Sequence, residues 1–285
     1  MKILIILCIL LQYYIFANNI NIEAPKSKYD TNHKYYYNLI QKILKITEKE
    51  YGKSHLQYNR VYEQRRMFVN LKKNKEINLV WAGVSLERDR DFLSVKIPLT
   101  KGLLGYRIFI INKKNSKIFD AIENIKDLKK LKACQAVHWP DTDVLKYAGL
   151  NVLENTNYER MFLQVLKGRC DYFPRGVGEA YREVEVRKQI YNDLIVYKKI
   201  ILYYPFPMYF FFNKNNQGLK DRIEKGLRIM IENGSFDNYL KTSKNTKNLF
   251  PLDKWMNVKI FKLKNPYLPK DSDINNEKLW ILPKD

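Results

Sequence analysis

The stretch Leu166–Ala180, LKGRCDYFPRGVGEA, compresses a helix end, a strand and an abrupt turn into fifteen residues. Met161, Phe162, Val165 and Leu166 recur at helical spacing ahead of it, and Gly168 is suited to the left-handed conformation that closes a helix. Cys170–Phe173 is a short apolar-aromatic run that reads as a strand. Pro174 has no N–H to give to a ladder, so the strand is expected to stop there. In an open α/β sheet the crevice at the carboxyl ends of the strands collects ligands, and Arg175, Gly176 and Glu179 are placed to line it.

Working outward, the preceding residues alternate strand and helix. A strand at Ala133–Val137 leads into WPDTDVLKYAG, a helix capped by Asp141 or Thr142 after Pro140 and stopped by Gly149. Asn151–Leu153 is a second strand, Tyr158–Leu166 a second helix and Cys170–Phe173 the third strand. Such alternation predicts a parallel sheet with right-handed crossovers. Further upstream, Tyr35–Glu50 carries an apolar stripe (Tyr36, Leu39, Ile40, Ile43, Leu44, Ile46) and should pack on a sheet. Tyr62–Asn74 reads as another helix, Ile77–Ala82 as a buried strand, Gly83–Asp91 as a charged turn and Gly105–Asn112 as a strongly apolar strand. Downstream, Leu194–Tyr204 and Met208–Phe212 are β-rich, and Gly218–Asn233 is an amphipathic helix ended by Gly234. The last forty or so residues, rich in Lys, Asn and Pro, read as irregular surface packing.

Size and composition bound the class. With 285 residues, 46% of them hydrophobic, the chain can bury one large core or two modest ones. The N-terminal MKILIILCILLQYYIFANN sets one Lys before an apolar run too short to favour a membrane span. It reads as a signal peptide over residues 1–17, with cleavage after Ala17 and an uncleaved anchor as the alternative. Cys134 and Cys170 then enter an oxidising compartment. Both fall in expected strands of one sheet, where bond geometry is demanding, so buried free thiols are expected and a disulfide is the alternative. His33, His55 and His138 lie far apart and form no metal-ligand cluster with cysteine. The net charge of +21 would suit a nucleic-acid partner, but its lysines are scattered through every segment and no nucleic-acid motif accompanies them. A general attraction to anionic surfaces or solutes is what the charge does support.

Taken together, LVWAGVSLERDR at Leu79–Arg90, the strand GYRIFIINK, the segment DLKKLKACQAV with its following helix, LKGRCDY, and GLKDRIEKGLRIMIENGSFDNYL at Gly218–Leu240 resemble the extracellular solute-binding proteins of family 3, receptors of polar amino acid ABC transporters. The resemblance implies an α/β, two-lobed type II periplasmic-binding-protein-like fold, each lobe a mainly parallel sheet flanked by helices, with two hinge crossovers. Residues 18–110 and 207–285 would form the first lobe and 111–206 the second. It implies ligand contacts at Gly83, Ser85 and Arg90 in the first lobe, the guanidinium fork of Arg90 gripping a carboxylate. In the second lobe it implies contacts at His138, Trp139, Asp141 and Thr142, where a helix N-terminus favours an anionic group. Surface pairing within Glu87–Asp91 is the competing reading of Arg90, and an N-cap that of Asp141. Amino acid binders of this type hold the ligand ammonium with an Asp five residues beyond the Asp that matches Asp171, and Gly176 stands at that position. Arg175 is its neighbour. Asp141 or Glu179 is left to accept an ammonium, or two arginines face the cleft and suit a dicarboxylate or another anion, unless Arg175 is tied up with Glu179, Glu183 or a carboxylate of the first lobe.

The function expected is therefore a periplasmic solute-binding protein, a monomer without cofactor or metal, closing on a small anionic or zwitterionic solute and handing it to the membrane permease of an ABC transporter. A sensor reporting to a membrane receptor is the second expectation. An enzyme on the same scaffold is the third; Glu179, Asp141 and His138 are its candidate acids and bases, and no recognisable arrangement links them.

Overall fold

A computed structural model describes residues 19–256 and 258–283; the expected signal segment lies outside them. The chain opens with a strand, β1 (Asn19–Ile22), and a helix, α1 (Thr31–Ile46), whose start is capped by the Asp30 carboxylate accepting from the His33 N–H at 3.1 Å. Strand β2 (His55–Tyr58) pairs parallel with β1. Helix α2 (Gln64–Lys73) follows, then β3 (Val80–Gly83), the short helix α3 (Leu86–Asp91) and β4 (Leu93–Val95). Strand β5 (Tyr106–Asn112), buried along its whole length, begins the larger half.

The alternating segment runs β6 (Lys132–Ala136), α4 (Pro140–Tyr147), β7 (Asn151–Asn155), α5 (Tyr158–Leu166), β8 (Tyr172–Gly176) and α6 (Val177–Arg187). Strands β9 (Leu194–Tyr203) and β10 (Met208–Phe212), helices α7 (Gln217–Glu232) and α8 (Ser235–Thr242), and strand β11 (Lys259–Lys262) complete it. Two sheets organise the two lobes. The smaller has the order β3-β10-β4, and the larger β11-β9-β5-β8-β6-β7. The N–H groups of Asn78 and Leu79 both donate to the Asn21 carbonyl, which carries β1 and β2 alongside the smaller sheet.

Strand direction is more mixed than the alternation suggested. Parallel pairing holds for β8, β6 and β7, but β5 is antiparallel to both β8 and β9, and β10 is antiparallel to both its neighbours. The chain passes between the sheets after β4 and after β9. A third passage returns it at β11, which pairs parallel with β9 in the larger sheet. The C-terminal segment is thus not wholly irregular, and residues 259–262 join the sheet of the 111–206 region and not the first lobe where 207–285 was expected. Beyond β11, Ile281 donates its N–H to the Lys101 carbonyl, the Trp280 ring lies over Gly102, and Asp271 pairs with Lys96 at 3.1 Å.

Helix α1 touches the smaller sheet where Tyr36 stacks on Trp81 of β3 at 5.6 Å, and packs most closely on α7. Their approach depends on Gly226, where a Cβ would lie 2.6 Å from Ile43 Cγ2. Ile46, counted in the apolar stripe, is exposed because the stripe has rotated off that interface by the last turn. The strand after Gly168 begins two residues later than expected and does not stop at Pro174, which pairs with Phe109 of β5. The ladder between β8 and β6 is confined to Ala133 and Tyr172, so one side of Pro174 has no strand to bond and the missing N–H costs nothing there. Because Cys170 precedes the strand, its side chain reaches Cys134 of β6 from the turn. The two form a disulfide with their Cα atoms 5.5 Å apart, correcting the expectation of free thiols.

Candidate functional site

A cleft between the two sheets is walled on one side by β3, α1, α2 and the loop after β1, and on the other by β5, β8 and the starts of α4 and α6. Four carboxylates, Glu23, Asp30, Asp141 and Glu179, line it together with three cations, Lys26, Arg107 and Arg175. Tyr36 and Trp81 on one wall, Trp139 and Tyr158 on the other, and Phe206 also line it. Hydrogen bonds already span the two walls. Ser27 Oγ donates to Glu159 Oε1 at 2.7 Å and Asn32 Nδ2 to Glu183 Oε1 at 2.8 Å.

The cations on the larger-sheet wall are engaged within the protein. Arg175 donates through Nε and Nη2 to the two oxygens of Glu183 at 2.8 and 2.7 Å, a bidentate fork, and Nη2 lies 3.1 Å from Glu179 Oε2. Its guanidinium sits 4.9 Å from the Trp139 ring and 5.0 Å from that of Phe173. Glu183 also accepts from Tyr158 Oη at 2.5 Å and is fully buried. Arg187, one helical turn on, donates to the Glu183 carbonyl and forks onto Glu159 at 2.9 and 2.6 Å. On β5, Arg107 Nη2 meets Asp141 Oδ2 at 2.7 Å, and Nη1 lies 3.7 Å from Glu179 Oε2. Gln135 Nε2 and Tyr204 Oη also donate to that Asp141 oxygen, at 2.8 and 3.2 Å.

Burial and charge pull these groups in opposite directions. Burial works against the charge on Arg107 and Arg175, but the neighbouring carboxylates, Asp141 for the first and Glu179 with Glu183 for the second, hold both above the usual arginine value. Glu183 is likewise held below the usual carboxylate value: burial opposes its charge, and Arg175 outweighs it. Burial dominates at Glu179 and pushes its carboxyl up despite Arg175. On the opposite wall burial raises Glu23 and lowers His33, whose Nε2 lies 2.8 Å from the Glu23 carbonyl oxygen.

Of the expected contact residues, Gly83, Trp139, Asp141, Arg175 and Glu179 meet at the cleft. Gly83 is needed there, since a Cβ would run into the Phe206 ring. Ser85 and His138 line a separate outer groove. Ser85 is the N-cap of α3, its Oγ accepting from the Arg88 N–H at 3.2 Å. Thr142 is buried and its hydroxyl donates to the Ala136 carbonyl at 3.0 Å, so it braces the β6–α4 turn. Neither it nor Asp141 caps α4; Trp139 holds that position and Pro140 follows as the first helical residue. Gly176 backs the wall, its N–H donating to Glu179 Oε2 at 3.0 Å.

Arg90 is the clearest correction. Its side chain is 72% exposed and paired with Asp91 at 2.7 Å. The buried arginine of the turn is Arg88, which donates to the Gly83 carbonyl at 2.8 Å, to Gln64 Oε1 at 2.7 Å and, across the interlobe gap, to the His138 carbonyl at 3.0 Å. Burial pushes its guanidinium down to about 9. Spacing held the signal: a residue three past an N-cap shares its face, whereas five past does not. Arg107 was missed although it is the one charge inside GYRIFIIN, and a charge within a buried strand demands a partner. Glu183 and Arg187 continue the face of Glu179 at four-residue steps.

No family model matches the sequence, and no curated protein matches it. Solved structures share its fold. An ancestral arginine-binding protein bound to arginine is 18% identical, with 79% of this chain and 98% of that one aligned and a TM-score of 0.59. The probable amino-acid ABC transporter extracellular-binding protein YtmK of Bacillus subtilis is 18% identical over 81% of this chain and 100% of that one, at 0.58. A histidine kinase sensor domain with similarity to periplasmic binding proteins is 15% identical over 85% and 97%, at 0.57. The two-lobed periplasmic-binding fold is therefore the fold of this chain.

Proposed function

We propose that the chain is a solute-binding protein whose lobes enclose a small zwitterionic solute of the amino acid class and present it to a membrane transporter. The observation that carries this reading is the charge balance of the cleft. The arginines that would have made it a dicarboxylate site are engaged, Arg175 by Glu183 and Arg107 by Asp141, and Arg90 points to solvent. Glu23, Asp30 and Lys26, all from the loop after β1, bring both signs to the cleft, Asp30 also accepting from the Lys26 and His33 N–H groups. Trp81, Tyr36 and Trp139 offer apolar walls for its side chain.

The expected N-terminal signal segment and the likeness to extracellular binding proteins support a periplasmic or extracellular location. The likeness to a sensor domain supports a receptor as the alternative recipient of the same solute. Asp141 and Glu179, the carboxylates first considered for acid–base chemistry, are both paired with guanidinium groups, which favours binding over turnover.

A thermal-shift panel of neutral, cationic and dicarboxylic amino acids tests the reading. A solute at a hundredfold excess over its Kd adds about 2.7 kcal/mol of stability. A neutral amino acid that stabilises the parent and fails to stabilise a Trp81→Ala variant supports the assignment. Binding of dicarboxylates alone, or of nothing in the panel, defeats it.

A further inference from the structure

Arg107 sits among partners that suit a free guanidinium group. Asp141 Oδ2 lies 2.7 Å from Nη2, Glu179 Oε2 lies 3.7 Å from Nη1, and Nε donates to Tyr204 Oη at 3.0 Å. The guanidinium carbon stands 5.2 Å from the Phe206 ring and 5.8 Å from the Tyr204 ring. Two carboxylates, one tyrosine that accepts through its hydroxyl and one phenylalanine ring are what a guanidinium ligand calls for: acceptors for its N–H groups and a π face for its plane. Asp141, Glu179 and Phe206 all line the solute cleft, so this receptor opens into it. Its occupant arrives from β5, the strand that starts where the chain leaves the smaller sheet.

We infer that Arg107 is a tethered cation filling a guanidinium subsite of the cleft, and that it sets specificity by excluding solutes whose side chain carries a second cation. The inference rests on reading the cleft as the solute site. A guanidinium-bearing amino acid would have to displace Arg107, leaving that side chain buried without its counter-charges, or crowd a second cation against it. Either is costly in a buried site. A zwitterion with a neutral side chain meets neither penalty. Removing the Arg107 side chain should vacate the receptor and leave Asp141 without its guanidinium partner, while Glu179 keeps Arg175 at 3.1 Å, so the empty subsite becomes an acceptor for an added cation of the same shape.

Chemical complementation tests this. Arg107→Ala and, as a milder truncation that keeps hydrogen-bonding capacity, Arg107→Gln are titrated with methylguanidine, arginine and agmatine while thermal midpoint and calorimetric heat are followed. The parent is expected to ignore all three. At least one variant is expected to be stabilised by methylguanidine and to bind arginine at least about tenfold more tightly than the parent, a difference well resolved by calorimetry. Methylamine, a cation of the wrong shape, should restore less. Failure of both variants to respond overturns the inference, as does a parent chain that binds arginine as tightly as either variant. Complementation by methylguanidine is read without any natural solute, so its outcome is independent of the amino acid panel.

Discussion

The turn after β3 and the wall formed by β5, β8 and α6 both carry arginines close to the cleft, yet they use them in opposite ways. On the turn, Arg88 and Arg90 are two residues apart and end on different faces of a six-residue helix, one buried among carbonyl groups and one in solvent. On the wall, Arg107, Arg175 and Arg187 are all buried, and each is matched to a carboxylate from another position. An exposed pair competes with water for its partner, whereas a buried pair has no such alternative and must be complete. Position relative to water, not proximity to the cleft, decides which arginine carries energy.

If the wall is a complete network, removing one member should cost the most. Glu183→Ala leaves Arg175 buried without its fork, and denaturant unfolding is expected to show a loss of about 3–5 kcal/mol. A loss below that range would mean Glu179 or water takes over and that the wall behaves like the surface. Arg88→Ala comes next. It deletes three charge-assisted hydrogen bonds, including the one to the His138 carbonyl, and is expected to lower stability by about 1.5–3 kcal/mol and weaken solute binding.

A smaller effect is expected from His33. Its folded pKa lies below its ordinary value near 6.5 because burial disfavours the charged ring. The unfolded chain therefore takes up the proton first as pH falls. The contribution of His33 to stability is present above the unfolded pKa and is lost as pH drops through it and on to the folded value. Chemical denaturation between pH 8 and pH 5, on the order of one to two units either side of the unperturbed histidine value, should show this loss, and His33→Gln should remove that part of the slope. The smallest effect belongs to Arg90→Ala, expected to change neither the unfolding midpoint nor solute affinity. A measurable loss of binding would restore the role first read for it and break the contrast between the two regions.

The sequence made the larger sheet legible because its strands and helices alternate and each helix carries its own start and stop. The helix Tyr158–Leu166 and the left-handed Gly168 are found where periodicity put them. Pairing direction was not legible. Nothing in GYRIFIIN says that β5 runs antiparallel to both neighbours, because a strand buried on both faces reads the same either way. The site was legible in outline, as Trp139, Asp141, Arg175 and Glu179 do meet. Its electrostatics were not, since the partners of those charges are brought from β5, β6, β8, α6 and Tyr204 after β9, and only the folded chain shows which guanidinium each carboxylate takes. The disulfide was misjudged for a similar reason: a displacement of the strand start by two residues moved Cys170 out of the ladder and within reach of Cys134.

Strand β11 has a bearing on the order in which this molecule assembles. Strand β9 bonds along one side to β5, which precedes it in the chain, but its other side waits for Lys259–Lys262, which follow β10, α7, α8 and a further stretch of chain. Until they arrive, the larger sheet presents a bare edge, the kind of surface on which strands of other molecules can dock. Long-range closure of this sort is also slow. Nascent or shortened chains that stop before residue 259 are thus expected to be the aggregation-prone species, and the full-length chain covers that edge with its own β11.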